Sequence, residues 1–178
     1  MAEEKKEPWL NYLALTTVIL AVCATLATFR SGGYSTRSVM SQTQASDQWA
    51  YYQAKSIKGY LYEMQKEQYE ITLKGLSGKA AQVTAADYQK KIADYQKRIE
   101  RYEAEKAQIQ KDARALEAVR DDAKNHGQAF GIAVIFLQIA ILLASIAALM
   151  KKKPLWFLSM AVGLAGIVYF INGFFLFM

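Results

Sequence analysis

A chain of 178 residues that is 53% hydrophobic yet has a mean hydropathy of -0.00 combines very apolar stretches with very polar ones, which excludes a single soluble globule with its apolar residues evenly spread. The net charge of +6, from 22 Lys and Arg against 16 Asp and Glu, interleaves both signs without a nucleic-acid motif, so it reads as a solvated surface and no nucleic-acid partner is expected. The single cysteine, Cys23, excludes an intrachain disulfide.

In chain order, residues 1–8 (MAEEKKEP) form a charged leader, and 9–29 contain no Asp, Glu, Lys or Arg. Two more uncharged blocks follow at 129–150 and 155–178, separated by a basic loop at 151–154. With 21, 22 and 24 residues, each block can cross a hydrocarbon core of about 30 Å. Three transmembrane helices are therefore expected. The first block outruns a secretion-signal core and closes on Phe29-Arg30, so it reads as a retained anchor. Cys23 follows Val22 where a lipid-attachment signal wants a small residue, so it reads as lipid-facing or as packed filler. Trp9, Tyr12 and Trp156 suit the headgroup level, where an aromatic ring has one wet and one apolar side, and each reads equally well as a packed aromatic.

Both prolines, Pro8 and Pro154, stand just before a span, where a missing N–H costs nothing. Between them glycines mark the expected breaks: Gly32-Gly33 as a flexible joint, Gly75 and Gly78 around a connection, Gly127 before the second span. Thr84 with Asp87 is close to a capping box. The expectation is an all-α membrane protein in which 30–128 form a long, coiled-coil-like extramembrane antiparallel helical hairpin, with arms at about 38–74 and 84–125.

Tyr88, Ile92, Tyr95, Ile99, Tyr102, Lys106, Ile109, Ala113 and Leu116 repeat in steps of four and three, a heptad seam on the second arm. The first arm carries a weaker candidate at Ala50, Ala54, Ile57, Leu61, Met64, Gln68 and Ile71, with Trp49, Tyr52 and Ser56 beside it. Nine of the eleven tyrosines lie between 34 and 102, more rings than one stripe per arm can cover. The surplus predicts contacts with further copies, against the alternative of a self-contained hairpin. The residues assigned to this packing are Trp49, Tyr52, Ile57, Leu61, Met64, Tyr88, Ile92, Tyr95, Ile99 and Tyr102.

Ingredients for catalysis are sparse. His126, the only histidine, precedes Gly127 and reads as a helix-end cap, and Asp122 four residues earlier makes at best a two-ligand metal signal. No phosphate-binding loop, zinc spacing or nucleophile elbow occurs, so no enzyme, metal or cofactor is expected. Glu70 with Lys74 and Asp94 with Arg98 read as solvated helix pairs. Polar residues within the spans are Asn11, Thr16, Thr17, Thr25, Thr28, Gln138, Ser145, Ser159 and Asn172, none ionisable, which argues against a proton or charged-substrate path. Gln138 and Asn172 are expected to bond between helices, and Ala140, Ala144, Ala148, Gly163 and Gly166 to let helices approach closely.

The run QASDQWAYYQAKSIK at Gln44–Lys58, shortly after an N-terminal span and before a charged helical region and two closely spaced spans, resembles a bacterial membrane family catalogued as domain of unknown function 4337. That resemblance implies bacterial origin and this layout over most of the chain, and no catalytic residues. Three lysines at 151–153 place the N-terminus and that loop in the cytoplasm and 31–128 across the membrane, although Lys111, Arg114, Arg120 and Lys124 pull the other way. The functional expectation is a non-enzymatic homo-oligomer with a structural or scaffolding role in the bacterial inner membrane, its partners being the lipid bilayer and further copies. Two alternatives are an oligomeric pore and a membrane-anchored module that holds another envelope protein.

Overall fold

The computed structural model describes residues 8–75 and 81–178, and the side chains of 81–83 are outside the description. Three helices account for nearly all of it: α1 is Pro8–Gly75, α2 is Ala81–Met150 and α3 is Lys153–Phe175. No strand occurs among the described residues. All three are long and apolar enough to cross a membrane, with mean hydropathies of 2.0, 2.7 and 1.9 in their most apolar windows.

The expected hairpin of separate helices set between two spans is not found. The first span and the first arm are one helix of 68 residues, and the second arm and second span one of 70. Gly32-Gly33 and Gly127 lie inside helices, and Thr84 lies within α2, which already runs from Ala81. The part of the expected connection at 76–80 lies outside the described residues. An interior glycine costs about 1 kcal/mol relative to alanine, whereas a joint opens several backbone N–H and C=O groups at once near a span. The unbroken ladder is the cheaper solution.

Cβ atoms built on Gly32 and Gly33 would meet nothing within 4 Å. Gly32→Ala and Gly33→Ala are therefore expected to raise stability by roughly 0.5–1 kcal/mol each. A lowered thermal midpoint in detergent would restore the flexible joint.

The chain divides into two compact units, one of residues up to Met40 with Val119–Met178, the other of Ser41–Ala118. In the first, α2 lies antiparallel to α3, in a register that places Gly173 on Phe130, Gly166 on Leu137 and Gly163 near Ala140. The start of α1 runs parallel to α3, with Trp9 6.0 Å from Trp156 and Leu20 against Gly163. The core between the three is Leu20, Ala24, Ala27, Phe130, Ala133, Leu137 and Ala140, with Trp9, Leu13 and Ala147 forming a second cluster. α2 turns into α3 through Lys151 and Lys152 alone, Lys151 in the left-handed region at φ 51° and the Lys152 N–H donating to the Ala147 carbonyl at 3.2 Å.

In the second unit, the α1 and α2 stretches lie side by side and antiparallel. Lys55 meets Glu105, Tyr62 meets Tyr95 and Tyr69 meets Tyr88.

Candidate functional site

Within the Ser41–Ala118 unit, α2 turns inward the residues that its heptad marks. Tyr102, Lys106, Ile109 and Ala113 are buried, and Tyr88, Ile92, Tyr95, Ile99 and Leu116 half-buried. For α1 the structure corrects the expected seam. Ala50, Ala54, Ile57, Leu61, Met64, Gln68 and Ile71 are all exposed, and α2 is faced instead by Ser41, Ala45, Trp49, Tyr52, Lys55, Gly59, Tyr62, Lys66 and Tyr69. The reason is steric and chemical: the seam of α2 is rich in tyrosine, so its natural complement is more rings, small residues and cations. Tyr62 lies 5.6 Å from Tyr102 and 5.7 Å from Tyr95, and Tyr69 5.4 Å from Tyr88 and 5.7 Å from Tyr95. Arg98 sits over Tyr62, Lys91 over Tyr69 and Lys55 over Tyr102. Ring faces are electron-rich, so each such cation adds about 0.5–1 kcal/mol when exposed.

Lys106, an anomaly in an apolar heptad, is 9% exposed. Its stem fills the seam while its ammonium donates to Glu103 at 2.7 Å and lies 5.5 Å from the Tyr52 ring. The Glu103 hydrogen bond raises its pKa above the ordinary lysine value, against the pull of burial. Trp49 Nε1 donates to Glu117 at 3.0 Å and its ring meets the edge of Tyr52.

Lys55 and Glu105 pair at 2.5 Å. Their hydrogen bond is the chief cause holding Glu105 below the usual carboxylate range and Lys55 above the usual amine value. For Glu105 the folded pKa lies under the unfolded one, so its contribution is full above the unfolded value and vanishes as pH falls through the folded value. For Lys55 the contribution is full below the unfolded value and vanishes as pH rises through the folded one. The contribution of this pair should thus be constant between about pH 5 and 10 and decline on both sides. Glu105→Gln should flatten part of the acid limb in a urea titration, modestly because the pair is partly wet and salt-screened. An unchanged acid limb would show that the pair carries none of it.

The edge of α1 directed away from α2 remains apolar: Ile57 is 61% exposed, Leu61 54%, Met64 66% and Ile71 62%.

Among the span residues, Ala140, Ala144, Gly163 and Gly166 are buried and Ala148 half-buried. Gln138 is exposed and belongs to no described interhelical contact, a correction that follows from its place on α2 between the inward Leu137 and the outward Ile139. Asn172 is buried but bonds locally, its Oδ1 accepting the Met178 N–H at 2.9 Å and its carbonyl the Leu176 N–H at 2.8 Å. Among the span residues, interhelical polar bonds are made instead by Ser159, whose hydroxyl donates to the Ala140 carbonyl at 2.8 Å, and by Trp156, whose Nε1–H donates to Thr16 Oγ1 at 3.3 Å. Gly173 belongs to the contact face too. Ser159, Gly163, Gly166 and Gly173 follow steps of four, three and seven, a signal present in the sequence.

His126 is no cap, since α2 continues 24 residues beyond it to Met150. Its Nδ1–H donates to the Gly173 carbonyl at 2.8 Å, the tautomer being assigned from that acceptor. Its ring stacks on Tyr34 at 4.8 Å, and Nε2 lies 3.6 Å from Asp122. Tyr34 in turn stacks on Phe130, which meets Phe170 and Phe174 edge-on. This is an interhelical clasp. Among the described residues no three His, Cys, Asp or Glu side chains converge as metal ligands. A nearby open cleft of about 520 Å³ is lined by Asn125, Gln128, Ala129, Ile132, Tyr169, Asn172, Leu176 and Met178, with no acid, base or nucleophile set for acyl or phosphoryl transfer.

Three helices of spanning length and hydropathy, packed through a glycine and alanine face, define the class of helical membrane proteins by length and composition. Within that class, the sequence model of the family described as Domain of unknown function (DUF4337) matches residues 9–176, and the chain belongs to that family. Searches of curated proteins and of solved structures found no match.

Proposed function

We propose that this is a non-enzymatic, homo-oligomeric integral membrane protein with a structural or scaffolding role in the bacterial envelope. Its Ser41–Ala118 unit stands outside the bilayer, opposite a cytoplasmic N-terminus and a cytoplasmic Lys151–Lys153 turn. The observation that carries the reading is the exposed aliphatic edge of α1: the seam toward α2 is already filled, so Ile57, Leu61, Met64 and Ile71 have no cover among the described residues. Exposed apolar stripes of this kind mark contact with another protein surface. The interleaved charges of this unit favour water for it, and the triple lysine favours the cytoplasm for the turn.

Reading the same edge as the docking face for a different envelope protein is the runner-up. The pore reading loses support because Thr16, Thr17, Thr25 and Thr28 each donate a hydroxyl to a carbonyl of their own helix three or four residues earlier. The test is mass measurement in a mild detergent, expected to give several chains per particle. A single chain at concentrations well above micromolar sinks the proposal, and stoichiometric co-purification of another protein moves it to the runner-up. A reporter fused after Met178 checks orientation, activity being expected only outside the cytoplasm.

A further inference from the structure

The apolar edge of α1 is a second heptad. Ala54, Ile57, Leu61, Met64, Gln68 and Ile71 recur in alternating steps of three and four, about 150° around the helix from the seam that faces α2. The step of four from Ile57 to Leu61 and of three from Leu61 to Met64 assigns the heptad letters. Ala54, Leu61 and Gln68 occupy a, while Ile57, Met64 and Ile71 occupy d. Ile at a with Leu at d favours two strands, because the two positions meet a partner at different angles. The reverse, Leu at a and Ile at d, shifts the preference to three or four, and here the one large aliphatic a residue is Leu61 while two of the three d residues, Ile57 and Ile71, are isoleucines. The flanks broaden the apolar face in keeping with that number: Tyr51 at e and Tyr60 at g are 51% and 58% exposed.

Copies inserted with one topology extend the same end of α1 from the bilayer, so they meet parallel and in register. In that arrangement the g position of one copy faces the e position five residues on in the next. The pairs are Gln53 with Lys58, Tyr60 with Gln65 and Glu67 with Thr72, and none opposes like charges. The far edge of α2 exposes Lys90, Lys97, Arg101 and Lys111, a surface suited to water rather than to a core.

We propose that the α1 stretches of three or four copies form a central parallel coiled coil through this edge, with the Gln68 side chains as a polar layer that fixes register and number, and with the α2 stretches outside. The proposal rests on the homo-oligomer reading above and specifies its interface. A buried polar residue at one a position costs stability but penalises misaligned or wrongly numbered assemblies.

The test uses the full chain in lipid vesicles with Cys23→Ala, carrying either Met64→Cys or Lys97→Cys, together with particle mass in mild detergent. Three or four chains per particle are expected, with disulfide-linked pairs at least ten-fold more abundant for Met64→Cys than for Lys97→Cys under mild oxidation. A single chain overturns both the interface and the oligomer reading. An oligomer that cross-links through Lys97→Cys and not Met64→Cys, or that contains two chains, overturns the interface while leaving the oligomer reading intact. Gln68→Leu should keep the assembly at equal or higher thermal stability but spread it over more than one mass; one unchanged mass would overturn the role of Gln68.

Discussion

Gly166→Leu is expected to lower the stability of the span-containing unit by about 3 kcal/mol or more, read as a drop in the thermal midpoint of folded protein in detergent. A Cβ at this position would stand 2.8 Å from Leu137 Cγ and 3.0 Å from the Leu137 backbone nitrogen. Leu137 is fully buried, so its side chain has no free space to rotate into, and a backbone atom yields only if α3 moves off α2. Between helices surrounded by lipid, close packing supplies much of the attraction, so separating them forfeits contacts that water would not replace. Gly163→Ala is the internal comparison. Its Cβ would meet the Leu20 methyls at 3.0 and 3.1 Å, flexible ends that can turn aside, and a cost under about 1 kcal/mol is expected. Equal effects at the two positions would refute the register described for α2 and α3.

Ile109→Asp should be the most damaging single change in the Ser41–Ala118 unit, about 4 kcal/mol, because Ile109 is 6% exposed and a carboxylate there is either unpaired or forced to hold its proton. Ile92→Asp and Ile99→Asp, at half-buried positions, should cost less. Ile57→Asp separates two effects. At 61% exposure it leaves the fold of one chain nearly untouched, so its consequence should appear in particle mass rather than in melting. Should Ile57→Asp melt early while Ile109→Asp does not, the inward and outward faces would be interchanged.

That interchange is where the sequence was least informative. Three spans were legible because some twenty successive residues without a charge are rare outside a membrane helix, and the α2 seam because Tyr and Ile alternate strictly in the heptad. On α1 two heptads coexist, and the more aliphatic one draws attention as the core although it faces outward. Tyr52, Tyr62 and Tyr69 are poor markers of burial because a tyrosine tolerates both wet and dry surroundings. The glycines misled for a different reason: local propensity puts a break at Gly32-Gly33, yet hydrogen-bond continuity near a bilayer outweighs a penalty of about 2 kcal/mol for the pair. The role of Gly173 and the His126 clasp depends on which residue of α3 lies opposite which residue of α2, a register set by the Lys151–Lys152 turn rather than by either helix alone.

That turn has a consequence for how the protein enters a membrane. Two residues cannot span a bilayer, nor can they let α3 re-thread past α2 once either has inserted. Whatever machinery decides orientation must therefore handle the last two spans as one object with both outer ends on the same side. Lys151, Lys152 and Lys153 at its apex act as a single charged head for both helices. Altering their charge would bias inversion of the paired spans together, and a molecule with α3 alone reversed is excluded by the length of the connection.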